Sequence, residues 1–532
     1  MLVVITPLNV ILPRVEARLG KKAWTKKTTV VNNSKPMSPV SCVRKWIVLS
    51  GLFFATTTVV FSGTIFTPLG GESPISGPLP GDQTAPSLAI SATGGWVVWQ
   101  DPFIDGKGFG VGARKLDENL NPVGAALRVN KTVAGDQEKP RVALLNNGGA
   151  AVVFQGGKQG FQNIYTRFLN ADGSFTTGHD ILVNAPAGKS ASRVTITAMT
   201  IRNNKARLKP VRIKETFNRH LERTSGAVAA TLSDGSVIVA YTSGRKVFAT
   251  TQVLTEKVKW RGQRGITNTV LTTVPTEIDS MQDIYFQRFT ATGEKIGAEI
   301  VANQFRAFNQ RNPAIASRAD GTFVLAWASE LQRSGADYDP VAQSFLIRGS
   351  ETNKALLRQI DIVGRVFSND GTPVGDEFVV NSADLPCSSP SVASSAGGGY
   401  TFAWTQKDSV RESSLNIYAR AYSPAGNAIT EGFLLNTHTY GDQFTPQVAA
   451  APGGQLVVWT SLAQDGSRDG VYGRWLNDGD ITSAEFRVNT TTYLRQFHPA
   501  VAADASNRAM VIWSSYQTEA AFDLFGQRYT AQ

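Results

Sequence analysis

One four-part phrase recurs along the chain and limits the possible folds more than any other feature. Its first part reads Pro86-Ser-Leu-Ala, Pro140-Arg-Val-Ala, Pro313-Ala-Ile-Ala, Pro390-Ser-Val-Ala, Pro446-Gln-Val-Ala and Pro499-Ala-Val-Ala, with Gly226-Ala-Val-Ala as a further copy lacking the proline. The second part ends in one aromatic, Trp99, Phe154, Tyr241, Trp327, Trp404, Trp459 or Trp513. The third carries Arg114, Arg167, Arg288, Arg365, Arg420, Arg474 or Arg528, and the fourth closes on Asn130, Asn184, Asn303, Asn381, Asn436 or Asn489. Such self-similarity marks a repeat architecture, in which no unit can bury its apolar faces alone.

Each part is a short run of β-formers with period-two alternation, bounded by turn residues. Asn146-Asn-Gly-Gly, Ser233-Asp-Gly and Ala319-Asp-Gly separate first from second parts, and Ala171-Asp-Gly and Asn369-Asp-Gly separate third from fourth. Asn, Asp and Gly tolerate the positive φ that tight hairpins require. A repeat is therefore a four-stranded antiparallel meander, and Trp404, Trp459 and Trp513 stand 55 and 54 residues apart. Stacking these sheets around a ring covers every apolar face. The expectation is an all-β, seven-bladed β-propeller. The last copy stops after its third part, at Phe525-Gly-Gln-Arg-Tyr529. Ser76 precedes Gly81-Asp-Gln by the spacing at which Asn130 and Asn436 precede Gly135-Asp-Gln and Gly441-Asp-Gln. Residues 71–77 should thus supply the missing outer strand of the last blade, leaving no open sheet edge there. Arg193-Val-Thr-Ile-Thr resembles a first strand, which keeps an eighth, degenerate blade open.

The set Pro-x-Val-Ala, Gly-Gly-x-x-Val-x-Trp, Tyr-Gly-Arg and Glu-Phe-x-Val-Asn resembles the tandem repeats of bacterial secreted and surface β-propeller proteins, over residues 71–532. The resemblance implies the fold. That group is mostly of unknown function, so it implies no activity. The pattern lacks the Gly-His and Trp-Asp pairing of WD-type repeats and the double glycine of kelch repeats.

With 42% hydrophobic and 18% charged residues, the 532-residue chain can bury a core and is not disordered. Two cysteines, Cys42 and Cys387, exclude a disulfide scaffold, and four dispersed histidines argue against a histidine metal centre. The formal net charge is +11, but residues 1–45 and residues 188–224 each carry +8, which leaves −5 for the rest. Basicity confined to two segments is no general nucleic-acid footprint, so a nucleic-acid partner is not expected. Trp46–Leu69 is an uncharged apolar run behind Arg44-Lys45, the pattern of an export signal. Met37 is read as the true start, 1–36 as a non-native extension, and 37–70 as a signal peptide or a membrane anchor of sufficient length. The expected location is exported: periplasmic, cell-surface or extracellular in a bacterium. A monomer without cofactor or metal is expected.

Extra length falls at about 188–224, 244–282 and 330–360, read respectively as a blade link and two loops between second and third strands. All three map to one face of blades 2–4, and function on a rigid scaffold tends to sit on such elaborations. The candidate ligand-binding residues are Arg202, Lys205, Arg207, Lys209, Arg212 and Lys214 in the first insertion, with Lys257, Lys259, Trp260, Arg261 and Arg264 in the second. Cations beside an aromatic suit an anionic polymer. The plainer reading is solvated loops, or strands that lengthen blade 3 outward.

Asp105, Asp465 and Asp469 precede glycines, and with Asp101 they read as turn formers rather than calcium ligands, as do Asp82, Asp136 and Asp442 of the Gly-Asp-Gln links. Residues repeated once per blade read as structural, because a catalytic group is needed once. No nucleophile elbow, His-Glu-x-x-His or phosphate loop occurs. The function expected is non-catalytic binding of an anionic glycan or envelope protein through the loop-rich face. The alternatives are a polysaccharide hydrolase or lyase with funnel carboxylates, and a structural surface scaffold.

Overall fold

The computed structural model describes residues 66–531 apart from 159–161, 185–188, 203–204, 219–223, 262–263, 307, 331–358, 396, 409, 411–413 and 518–520, and gives the backbone alone for 189–218 and 245–281. The amino-terminal extension, the apolar run up to Ile65 and most of the third insertion lie outside these residues. Among the described residues no helix is long and apolar enough to cross a membrane.

The chain forms seven antiparallel sheets in sequence order, each a blade. In blade 1, strands Thr84–Ser91, Gly94–Asp101, Gly110–Leu116 and Pro122–Arg128 follow one another from the inner to the outer edge. The second strand is buried along nearly its whole length, because neighbouring blades cover both its faces. Seven apolar clusters hold the ring together, one at each interface between consecutive blades. The aromatic of each repeat sits in the cluster shared with the preceding blade: Trp99 against blade 7, Trp459 against blade 5, Trp513 against blade 6.

Ring closure follows the expected plan. Strand Phe66–Pro74 pairs with Asp523–Ala531 and completes blade 7. It begins five residues before the predicted start, so Phe66–Leu69 belong to the propeller, and Phe66 stacks on Trp475 at 3.6 Å between ring centroids. Ser76 does occupy the place of the terminal asparagine. In the other six blades the asparagine side-chain oxygen accepts a backbone N–H from the third strand, as Asn436 Oδ1 does from Ile417 at 2.7 Å. In blade 7 the Ser76 hydroxyl accepts from Leu524 N at 3.3 Å. The asparagine Nδ2 also donates, in blade 5 to Asn416 Oδ1 and His438 O, each at 2.8 Å. Asn436→Ala leaves these buried groups unpaired and should cost about 1–3 kcal/mol, read as a lower urea midpoint with unchanged slope.

The repeated arginines tie blades together. Arg114, Arg365, Arg420 and Arg474 each donate through Nε to the outer hairpin of their own blade and through Nη1 to a carbonyl of the preceding one: Ile75, Ala302, Val380 and Leu435. The aspartates of the Gly-Asp-Gln links also span blades, where turn formation alone was expected. Asp82, Asp136 and Asp442 accept from the backbone N–H of Phe522, Phe109 and Leu415, at the entry to the previous blade's third strand.

Blade 3 departs from the expected loops. Its second and third strands run unbroken as Val237–Arg261 and Arg264–Phe289, so 244–282 is a two-stranded ribbon that continues the blade. The segment read as a blade link is a hairpin, Lys189–Arg202 with Lys205–Asn218, which joins the ribbon where Ala198–Thr200 pair with Val270–Thr272. Arg193 lies in this hairpin, and the described residues form no eighth blade.

Candidate functional site

The first strand of every blade is the inner edge, and these strands abut around the ring. Each carries the same irregularity. The ladder skips two residues, between Thr84 and Ser87 in blade 1 and between Phe497 and Ala500 in blade 7. The first skipped residue has positive φ: Ala85, Lys139, Asn312, Ser389, Thr445 and His498 at 49–54°, and Gly226 at 64°. The second is proline except in blade 3, and a proline has no N–H to leave unpaired at a bulge. Blade 3 corrects the sequence alignment by one position. Gly226 matches the residue before proline, and Ala227 takes the proline's place. A left-handed conformation costs an L-residue roughly 1–2 kcal/mol, so six such residues at one level represent strain held by the surrounding frame.

This bulge turns two tiers of residues toward the ring's centre. The upper tier is Ala85, Lys139, Gly226, Asn312, Ser389, Thr445 and His498; the lower is Ser87, Arg141, Val228, Ala314, Ser391, Gln447 and Ala500. They line a central channel with a cavity volume of about 570 Å³ that also meets Pro86, Pro313, Pro390 and Pro499. Among the described residues no carboxylate lines it, and Lys139 and Arg141 make no ion pair. Enclosure by the channel wall holds the Arg141 guanidinium below its usual pKa, though an arginine stays charged. Arg141 Nη1 donates to the carbonyl of Pro140, at 3.0 Å. His498 is exposed at the channel mouth, yet desolvation of its shielded side, reinforced by Arg141 and Arg495 and opposed by Asp469, pushes it down to about 4, so the imidazole is neutral at pH 7.

A rim of rings continues outward from His498. Phe497 lies 4.4 Å from the His498 ring, Phe522 lies 4.9 Å from Phe497, and Tyr516 lies 5.1 Å from Phe522. All three are half-buried, and the Arg495 guanidinium sits 5.3 Å over Phe497 while bonding Asp469 at 2.6 Å. Asp523 begins the third strand of blade 7 beside this rim. In blades 3 and 4 the equivalent Asp283 and Asp361 accept from the repeat asparagine. Ser76 has no amide to give, and burial together with the Asp82 carboxylate raises the Asp523 pKa.

The eleven residues singled out in the sequence lie elsewhere, on blade 3. Lys205, Arg207, Lys209, Arg212 and Lys214 run along the outermost strand, opposite Arg202, Thr200, Ala198, Thr195 and Arg193. Lysine, arginine and a proline such as Pro210 are what blunt an exposed sheet edge. Lys257, Lys259, Trp260 and Arg261 lie near the ribbon's end, opposite Asn268, Ile266, Gly265 and Arg264. The pairing of Ala198–Thr200 with Val270–Thr272 places Arg202 and Lys205 toward the ribbon's end, whereas Arg212 and Lys214 lie farther back along the hairpin, so the two sets are brought together only in part. The channel residues Lys139, Arg141 and His498 were not among the candidates, although the sequence carried a signal for them. The repeats agree on the frame and disagree at the position before proline and at the one after it, and only Lys139, Arg141 and His498 are ionisable there. The loop aspartates act as the turn reading holds: Asp101 Oδ1 accepts from Phe103 and Ile104 N, and Asp465 Oδ1 from Ser467 N.

No family model matches the chain, and no curated protein matches it by sequence. Some solved structures resemble it weakly. A protein of unknown function from Dyadobacter fermentans is 11% identical, with a TM-score of 0.39 over 76% of this chain and 97% of its own. The polysaccharide lyase Uly1 is 9% identical, with a TM-score of 0.46 over 89% and 94%. An α-L-arabinanase of Penicillium chrysogenum, solved with arabinobiose, is 11% identical, with a TM-score of 0.37 over 88% and 97%. At these values the likeness says nothing of activity.

Proposed function

We propose that this protein is an exported, non-catalytic binding propeller that holds an anionic polysaccharide on the face where the blade links and the second-to-third-strand hairpins lie. One observation carries the reading: among the described residues, the channel opening there presents cations without ion pairs and no carboxylate. An enclosed guanidinium without a counter-charge favours an anion that brings one. The strands that lengthen blade 3 carry a second group of cations, Arg202, Lys205, Lys257, Lys259, Arg261 and Arg264, with Trp260 among them. The apolar run at 46–65 supports export.

The full-length protein should retain polygalacturonate or chondroitin sulfate and not neutral dextran. Retention should fall as salt rises from about 0.1 M to about 1 M, because the screening length shrinks from about 10 Å to about 3 Å. Equal retention of dextran, or no retention of either acid polymer, contradicts the reading. A second reading, a polysaccharide hydrolase or lyase, rests on Asp523: a carboxyl with a raised pKa beside an aromatic rim has the character of a general acid.

A further inference from the structure

The channel wall is constant in backbone and variable in side chain, and its ionisable groups are not spread around it. Lys139 and Arg141 share the inner strand of blade 2, Asp136–Leu144. His498 stands in blade 7 close enough to Arg141 for the two to repel when both are charged. The remaining wall is Ser, Thr, Asn, Gln, Gly and apolar groups, which can orient an incoming ligand but cannot neutralise it. Beyond His498 lies the partly exposed run of Phe497, Phe522 and Tyr516. Glu138, next to Lys139 in the chain, is engaged by Gln155 Nε2 at 3.1 Å and Gln162 Nε2 at 2.7 Å.

We propose that the channel mouth between blades 7 and 2 is a subsite for one acid sugar residue, its carboxylate or sulfate forked onto Arg141 beside Lys139 and its ring lying against Phe497. Guanidinium matches such an anion in two parallel hydrogen bonds, and an aromatic face accepts the apolar face of a pyranose. The strained tier makes sense here. Positive φ at Lys139 and His498 carries their side chains into the channel, and backbone strain of this kind clusters at ligand sites. The proposal rests on the polyanion reading for the polymer that supplies the residue, not for the subsite itself.

Occupation should change the protonation of His498. The charged groups facing the imidazole are Arg141, Arg495 and Asp469; an anion on Arg141 offsets the first of these and favours imidazolium. Anion binding is then coupled to proton uptake, and it tightens as the pH falls from about 7 toward 5.

Calorimetric titration of the full-length protein with glucuronate, inorganic sulfate and glucose tests this. Glucuronate should bind, tighter at pH 5 than at pH 7, and sulfate more weakly than glucuronate; glucose should not bind. Arg141→Gln should weaken glucuronate at least about tenfold, the scale of a charge-assisted pair. His498→Asn, which keeps a residue tolerant of positive φ, should flatten the pH dependence while glucuronate still binds. Lys139→Gln, at an exposed position, is the second variant should Arg141→Gln lower the melting temperature, and it too should weaken glucuronate. Unchanged affinity in both cation variants overturns the subsite. Sulfate binding as tightly as glucuronate overturns the role of the aromatic rim. Loss of polymer retention with glucuronate still bound in an Arg141-dependent manner removes the polysaccharide reading and keeps the subsite. Retention of the polymer by Arg141→Gln at wild-type strength does the reverse.

Discussion

Deleting Phe66–Ser76 should leave a chain that no longer unfolds cooperatively. Ile75 is fully buried between blades 7 and 1, and losing a buried isoleucine costs about 2–5 kcal/mol. The Ile75 N–H bond to Leu524 O at 2.8 Å goes with it, as do the Ser76 cap and the carbonyl that Arg114 reaches at 3.0 Å. Each leaves a buried partner unsatisfied, at about 1–3 kcal/mol. The Glu72 carboxylate, which accepts from Thr490 N at 2.8 Å and from Gln517 Nε2 at 3.0 Å, is lost too. Together these reach the whole stability of an ordinary domain, about 5–15 kcal/mol. A thermal melt by circular dichroism should show a broad or absent transition. A sharp one at the parent temperature would mean that the ring closes without this strand.

Trp99→Ala should cost about 3–5 kcal/mol, more than the loss of a repeat asparagine. The indole has no exposed surface, and its Nε1 donates to Asp101 Oδ2 at 3.2 Å. Gly112, its partner on the third strand, makes room for it: a Cβ there would stand 2.4 Å from Trp99 Cε2. Blades 2, 3 and 5 solve the same problem differently. A tyrosine stands opposite the aromatic and the two rings stack, with centroids 6.1 Å apart for Phe154 and Tyr165 and 6.2 Å for Tyr241 with Tyr285 and Trp404 with Tyr418. Phe103→Ala is the control, since that ring is 60% exposed and its loss should change stability by no more than about 0.5 kcal/mol. Equal urea midpoints for the two variants would contradict the packing account.

Blade count and ring closure were legible because both rest on spacing. Ser76 stands where an asparagine should, and the hydrogen bond it keeps to Leu524 N is the bond that the spacing required. The aromatics were legible as interface residues for a similar reason: once-per-repeat occurrence is what packing demands. Blade 3 was harder. Alternating Lys and Arg with β-formers in 205–214 fits a solvated loop and a charged edge strand equally well, and only pairing with 189–202 separates them. Asn203-Asn204 and Gly262-Gln263 are turn signals that favoured hairpins. The channel site was hidden for another reason. Proline as the repeat's landmark drew attention to the constant residue, whereas the chemistry lies one place to either side of it. At blade 3 the proline itself is missing, and only the bulge shows that Ala227, not Gly226, takes its place.

The proposed function requires that this ring bind an acid polysaccharide without cleaving it. The most direct measurement mixes the full-length protein with polygalacturonate and chondroitin sulfate and reads the bound fraction and the released oligosaccharides, by mass spectrometry, from the same sample. The bound fraction should fall with salt and with Arg141→Gln, and the chains should not shorten. Oligosaccharides that accumulate with time, and that vanish in Asp523→Asn, would contradict it and make the blade 7 rim an active site.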